Sequence, residues 1–209
     1  GFDGEKLNLL IHKRRFEPAR GEWSLFGGFL QEGEDLDEAA ARILYQLTGL
    51  EKIYMEQLHT YGEVGRDPAG RVISVAYYAL IPADRYSEEY SARYGATWVA
   101  LEKLPSLIMD HDRMVDKGLR RLRRRAATQP IGFELLPVKF TIPQLQALYE
   151  AIYRSKLDKR NFRKKILSMG VLVKLEEKDM SGSRKGAFLY RFDNRKYRQL
   201  TDAGDGFAI

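Results

Sequence analysis

Cysteine is absent from all 209 residues, which excludes disulfides and thiolate metal sites and suits a reducing cytoplasm. No apolar run approaches the roughly 20 residues needed to cross a bilayer, and the first segment lacks the layout of a signal peptide, so no membrane partner is expected. Histidine is scarce at three residues. His12 and His59 stand without a third ligand at metal spacing, so they read as surface or sheet residues and no metal is expected. Acidic residues are short in one half only. Residues 1–112 carry 12 Lys/Arg against 19 Asp/Glu, whereas residues 113–209 carry 23 against 10, giving balances of −7 and +13. A basic half beside an acidic one suggests a polyanion partner for the basic part.

What is present is ample apolar material, 44% with 11% aromatic, enough for the cores of one large or two small domains. The start, GFDGEKLNLLI, is abrupt and leaves room for an upstream strand. LNLLIHKRR and GEWSLFGGF read as strands. KIYMEQLHTYGEV and RVISVAYYALI, rich in β-branched and aromatic residues and split by GRDPAG, read as a long hairpin. ATWVALEKLP is a further strand, and DHDRMVDKGLRRLRRRAAT a helix with Met114, Leu119 and Leu122 as its apolar stripe, capped by the acids of Asp110 to Asp112. ATQPIGFELLP marks a linker, which puts a domain boundary near Gln129 and divides the chain into 1–128 and 129–209.

The second part begins with a helix capped by Thr141, with Pro143 in its first turn and Leu145, Leu148, Tyr149 and Ile152 at helical spacing. A second helix follows, capped by Asp158, with Phe162, Ile166 and Leu167 inward and a stop at Gly170. Two strands, VLVKLEEK and AFLYRFD, close a hairpin with a basic tip. Helix, turn, helix and hairpin is the order of a winged helix-turn-helix. The second helix carries Lys159, Arg160, Asn161, Arg163 and Lys164 early in its length, groups that can meet phosphates and base edges in a major groove. Arg184 and Lys185 at the hairpin tip could reach the neighbouring backbone or minor groove, so double-stranded DNA is the expected partner of this half.

In the first part, GFLQEGEDLDEAAARILYQLTGL runs from Gly28 to Leu50, a Gly turn and acidic loop leading into a helix over about Leu36–Thr48 that stops at Gly49. Its spacing resembles the Nudix box. Gly28, Glu34, Arg42, Leu44, Gly49 and Leu50 fall on the pattern, while the three helical glutamates are replaced by Ile43, Gln46 and Leu47. Phe26 also departs, standing where many Nudix enzymes have proline. The helical carboxylates of that box hold Mg²⁺, so the resemblance implies a Nudix-shaped pocket with no catalytic residues, no metal and no cofactor. Arg42 is expected to be structural, and Asp35, Asp37 and Glu38 to serve the helix N-terminus.

Together the halves resemble the Nudix-related transcriptional regulators, the NrtR family, over nearly the whole chain. The resemblance implies an α+β fold, with a Nudix-like mixed sheet flanked by helices followed by a winged helix. It also implies a homodimer bound to operator DNA and an effector held by the first domain. Members control either NAD metabolism, with ADP-ribose as effector, or sugar use, with a pentose such as arabinose. A pentose would use polar groups and an aromatic wall, for which Trp23, Glu34, His59 and Tyr61 are candidates. ADP-ribose would use cations such as Lys13, Arg14, Arg15 and Arg66. Loss of the metal-holding acids tips the expectation toward the pentose, with the ADP-ribose-sensing repressor and a Nudix pyrophosphatase as alternatives.

Overall fold

Each run of β-branched and aromatic residues in the first half becomes a strand whose buried positions fix its neighbours. The computed structural model describes residues 1–82, 95–181, 185–203 and 207. β1 (Asn8–Lys13) lies between β2 (Trp23–Ser24) and β5 (Ala96–Ala100) in an antiparallel sheet, with Lys13 opposite Trp23 and Leu10 opposite Trp98. Leu10 and Ile11 of β1 are buried. β3 (Tyr54–Tyr61) and β4 (Ser74–Leu80) form the long hairpin, also antiparallel. The register slips between Gln57 and His59, so Leu58 is an extra residue. That bulge explains why the buried positions of β3, Leu58 and Tyr61, stand three apart and not two or four.

Between the sheets in sequence runs α1 (Leu36–Thr48), bounded as its sequence signals require. Asp35 accepts from the amides of Asp37 and Glu38, the Glu38 side chain returns to the Asp35 N–H, and Gly49 ends the helix at φ 70°. After β5 and a short 3-10 turn, α2 (His111–Thr128) buries Met114, Leu122 and Ala126, which recur on one face, while Leu119 is half-buried. The segment expected as a linker has structure of its own: Pro130–Leu135 is a 3-10 helix with Ile131, Gly132 and Leu135 buried. Its apolar residues outweigh its proline and glycine as structural signals.

The chain divides into two compact units. One comprises Asn8–Ile81 and Arg85–Arg120, and the other Arg121–Ile209 with the short segments Phe2–Leu7 and Pro82–Asp84. In the second unit α3 (Ile142–Tyr153), α4 (Lys159–Ser168), β7 (Leu172–Asp179) and β8 (Ala187–Phe192) follow in the expected order, preceded by a short strand the sequence did not announce, β6 (Phe140–Thr141). The strands make an antiparallel sheet of order β6-β8-β7. Leu145, Leu148, Tyr149 and Ile152 of α3 are fully buried with Ile166 of α4. Leu167 is the exception to the expected stripe: one residue on from Ile166 it has turned about 100° away from the core, and it is 38% exposed. The sequence reading also missed α5 (Asn194–Asp202), capped by Asp193.

Candidate functional site

Two helices carry the candidate chemistry, one in each unit. α4 starts at Asp158, whose carboxylate accepts from the Asn161 N–H at 2.8 Å. The turn before it is clamped from α3. Glu150 Oε1 accepts from the Leu157 N–H at 3.0 Å and from Gln146 Nε2 at 2.9 Å, and Lys156 Nζ donates to Oε2 at 3.0 Å. Gln146 also donates to the Leu157 carbonyl at 3.0 Å. The Leu157 amide, then Gln146 and Lys156, hold the Glu150 carboxyl down at about 2. This network fixes where α4 leaves the turn.

Phe162 and Ile166 anchor α4 in the core, while Lys159, Arg160, Asn161, Arg163, Lys164 and Lys165 are all exposed. Among the described residues no ion pair ties any of those cations to an acid. The face is therefore positive and unsatisfied, while Asp158 fills the helix N-terminus itself. On the hairpin, Lys174 and Lys178 lie 3.6 and 4.7 Å from the centre of the Phe188 ring, and Lys139 pairs with Glu177 at 2.7 Å. Lys185 is exposed, and Arg184 lies outside the described residues. The arginine run of α2 has structural tasks: Arg123 Nε donates to the Ile152 carbonyl at 2.9 Å, in the last turn of α3, and Arg125 donates to Gln129.

α1 shows the opposite pattern, because its neighbouring charges are consumed internally. Arg42 Nε donates to Glu34 Oε2 at 2.8 Å and its NH2 to Oε1, with further bonds to the Phe29 carbonyl at 3.0 Å and Gln46 Oε1 at 3.2 Å. The Gln31 N–H donates to the same Glu34 at 2.7 Å, and the Arg42 bond holds that carboxyl below its ordinary value. Asp35 and Glu38 form the capping box, and Tyr77 donates its hydroxyl proton to Asp37. Arg42 is thus structural, as expected. A Cβ at Gly28 would lie 2.9 Å from the Ile43 side chain, so an aliphatic group packs on the glycine turn where the box pattern has glutamate.

Mg²⁺ asks for hard oxygen donors, normally with one or two carboxylates, and this donor set does not fit it. Ile43 offers none, Gln46 offers one amide oxygen already taken by Arg42, and Glu34 is held by two partners. Among the described residues no three His, Asp or Glu come together as a metal group.

The candidate effector residues fall into separate clusters. Lys13 Nζ lies 5.2 Å from the centre of the Trp23 ring across the β1–β2 pairing. His59 meets Tyr61 edge-on at 5.0 Å, and Lys117 Nζ lies 6.0 Å from the Tyr61 ring. Tyr61 is buried, and its hydroxyl has no hydrogen-bond partner among the described residues. Burial first, then Asp110, pushes that hydroxyl's pKa up. Arg15 is exposed. No hydrogen bond, ion pair or ring contact among the described residues joins these clusters to one another or to Glu34.

Arg66 is not available as a phosphate-binding cation. Its Nε and NH2 donate to Asp110 at 2.8 and 2.7 Å, its NH1 donates to Ser74 at 2.8 Å, and both partners of the ion pair are buried. This corrects the expected role of Asp110 too, since its carboxylate faces Arg66 and does not cap α2. The amide of Leu107 instead uses Asp112. A second feature unseen in the sequence is a pair of histidines on Leu25, just before the glycine turn. The Leu25 N–H donates to His111 Nδ1 at 3.1 Å, and its carbonyl accepts from His12 Nε2 at 3.3 Å. Burial is the first cause that lowers the pKa of both rings. Only the scarcity of histidine hinted at this.

Residues 2–118 match the NUDIX domain family, and residues 132–192 match the NrtR DNA-binding winged helix domain. The chain is 32% identical over 199 residues to a protein of Acinetobacter baylyi named ADPR responsive transcriptional repressor NtrR, covering 93% of this chain and 79% of that one. It is also 32% identical over 117 residues to the ADP-ribose pyrophosphatase of Methanocaldococcus jannaschii, covering 56% of this chain and 69% of the enzyme. The structure of Shewanella oneidensis NrtR complexed with a 27mer DNA superposes with a TM-score of 0.83 at 26% identity, covering 99% of this chain and 93% of that one. α5 lies beyond the matched winged-helix residues.

Proposed function

The chain belongs to the NrtR family, a Nudix domain joined to a DNA-binding winged helix, and on that premise we propose that it is a transcriptional repressor whose Nudix-like domain binds ADP-ribose without hydrolysing it. The observation that carries the DNA half is α4, whose Phe162 and Ile166 are buried while its cations face outward with no acidic partner among the described residues. We assign Arg160, Asn161, Lys164 and neighbouring Lys159 and Arg163 to the major groove, with Lys185 and Arg184 reaching the flanking backbone. Two copies related by a two-fold axis would set two such helices one helical turn, or a multiple of it, apart on a palindromic operator. We keep the domain boundary near Gln129, at the end of α2, whereas the compact units divide within that helix, between Arg120 and Arg121.

The pentose expectation gives way to ADP-ribose, because the two relatives above are named for it, one as an ADPR responsive repressor and the other as an ADP-ribose pyrophosphatase. The error lay in treating a lost metal site as a lost nucleotide site. A metal is needed to cleave a pyrophosphate, whereas exposed cations and a ring suffice to hold one. Lys13 supplies a cation beside the Trp23 ring and Arg15 a further exposed one, with His59 and the Tyr61 hydroxyl, which has no hydrogen-bond partner among the described residues, as further polar candidates. Glu34 is assigned to shaping the loop through Arg42. Absence of the box glutamates supports sensing over turnover. ADP-ribose would favour a state whose two reading helices no longer fit the operator, and a coupling of about 1–3 kcal/mol lowers DNA affinity some 5- to 150-fold.

The test is selection of duplexes from a genomic DNA pool, followed by fluorescence anisotropy on the recovered sequence. Sequence-preferring binding that ADP-ribose weakens and arabinose leaves unchanged is expected. Release by arabinose alone would restore the sugar reading, and steady Mg²⁺-dependent cleavage of ADP-ribose would make the chain an enzyme.

A further inference from the structure

The winged-helix unit carries a second cationic surface that α4 does not use. α5 follows β8 directly, and the Asp193 N–H donates to the Val171 carbonyl at 2.8 Å, which ties its start to the residue just after the Gly170 stop of α4. Its inner side is aromatic. The Tyr197 ring packs 5.8 Å from Phe192 and 6.4 Å from Phe207, and Phe192 stacks on Phe133 at 4.3 Å. At about 100° per residue, Arg195 and Arg198 fall on the side opposite Tyr197 and Leu200, and Lys196 on the flank beside Leu200. All three cations are exposed, as is Arg191 on β8. The only acids of the stretch 191–202 are Asp193 and Asp202, at the two ends of the helix. Asp193 is occupied as the N-cap, accepting from the amides of Arg195 and Lys196 at 3.1 Å. Among the described residues, none of the four outward cations has an acidic partner.

A helix held on one side by Tyr197 against Phe192 and Phe207, with exposed cations that have no acidic partner among the described residues, presents a surface that attracts a polyanion. Its end is already filled by Asp193, so side chains and not the helix dipole must meet the anion. Nothing in the motif of helix, turn, helix and hairpin calls for this helix. We propose that α5 is a phosphate clamp, in which Arg191, Arg195, Lys196 and Arg198 grip the sugar–phosphate backbone of the same duplex whose bases α4 reads. This rests on the DNA reading above. Phosphate contacts carry affinity and register without sequence information, so α5 sets how tightly the protein binds and α4 sets where.

The experiment compares the full chain with its R195A/K196A/R198A variant by anisotropy on the selected duplex across a salt series. The variant is expected to bind at least tenfold more weakly, with the slope of log affinity against log salt smaller by about 0.9 for each lost phosphate contact and an unchanged ranking of mismatched duplexes. R195K/R198K, which keeps the charge, is expected to retain the slope. Equal affinity and slope in the triple variant overturns the clamp, as does loss of slope in the lysine variant, which would indicate a disturbed fold. R160A/K164A separates the two claims: if it leaves affinity and ranking unchanged while the α5 variant weakens binding, the assignment of α4 falls and the clamp stands. Binding of single-stranded RNA but not duplex overturns both.

Discussion

α1 and α4 begin alike and end in opposite roles. Each is capped by an aspartate, Asp35 or Asp158, and each presents a run of charged residues near its start. Around α1 the charges close on themselves through Glu34–Arg42, the Asp35–Glu38 capping box and Tyr77–Asp37. On α4 the Asp158 cap is satisfied internally, while the cations face solvent with no acidic partner among the described residues. Charge spent inside the fold shapes a loop, whereas charge left over is available to a partner.

The comparison breaks most visibly at charges that are buried and paired. Asp110→Ala strands the Arg66 guanidinium in the interior, and we expect a loss of about 3–5 kcal/mol of stability, read as a lowered urea midpoint. A midpoint within experimental error of the wild type would mean the pair is idle. The opposite result is expected on the exposed helix. Arg160→Ala with Lys164→Ala should leave the urea midpoint unchanged while each substitution costs about 1–3 kcal/mol of duplex binding, measured by anisotropy. A destabilised but still fully binding double variant would reverse the roles assigned to paired and unpaired charge.

Smaller effects sharpen the contrast. Glu150→Ala removes the acceptor of the Leu157 amide and of Gln146, and should cost about 1–3 kcal/mol together with some DNA affinity through a loosened turn. The Glu150 carboxyl is depressed to about 2 by those bonds. Its share of the stability is therefore complete above the unfolded value near 4.3 and is lost as pH falls toward 2. The smallest effect expected is at the Leu25 histidines. Both have lowered pKa values because burial opposes the charged ring. The unfolded chain takes up those protons more readily, so this contribution is present above about pH 6.5 and declines as pH falls below it. Thermal melts of the wild type and of His111→Gln between neutral and mildly acidic pH should converge, and parallel curves would remove His111 from the account.

Much of this was legible beforehand wherever a local rule acts alone. Asp35 and Gly49 bound α1, Thr141 and Asp158 open α3 and α4, and the buried stripe of α3 follows from its spacing. What could not be read depends on contacts distant in sequence. Arg66 reads as a free cation until Asp110, 44 residues away, closes on it. Leu58 enters the core through a bulge that no alternation pattern predicts. α5 escaped notice because its apolar stripe is only Tyr197 and Leu200, and its stability comes from rings on other segments. The effector went astray for a chemical reason, since the missing carboxylates speak to catalysis and not to recognition.

The most direct test adds ADP-ribose and Mg²⁺ together to the protein bound to its selected duplex, following anisotropy and nucleotide composition in the same sample. Release of the duplex with ADP-ribose recovered intact is the predicted result. Accumulation of AMP and ribose 5-phosphate, with the duplex still held, would contradict it.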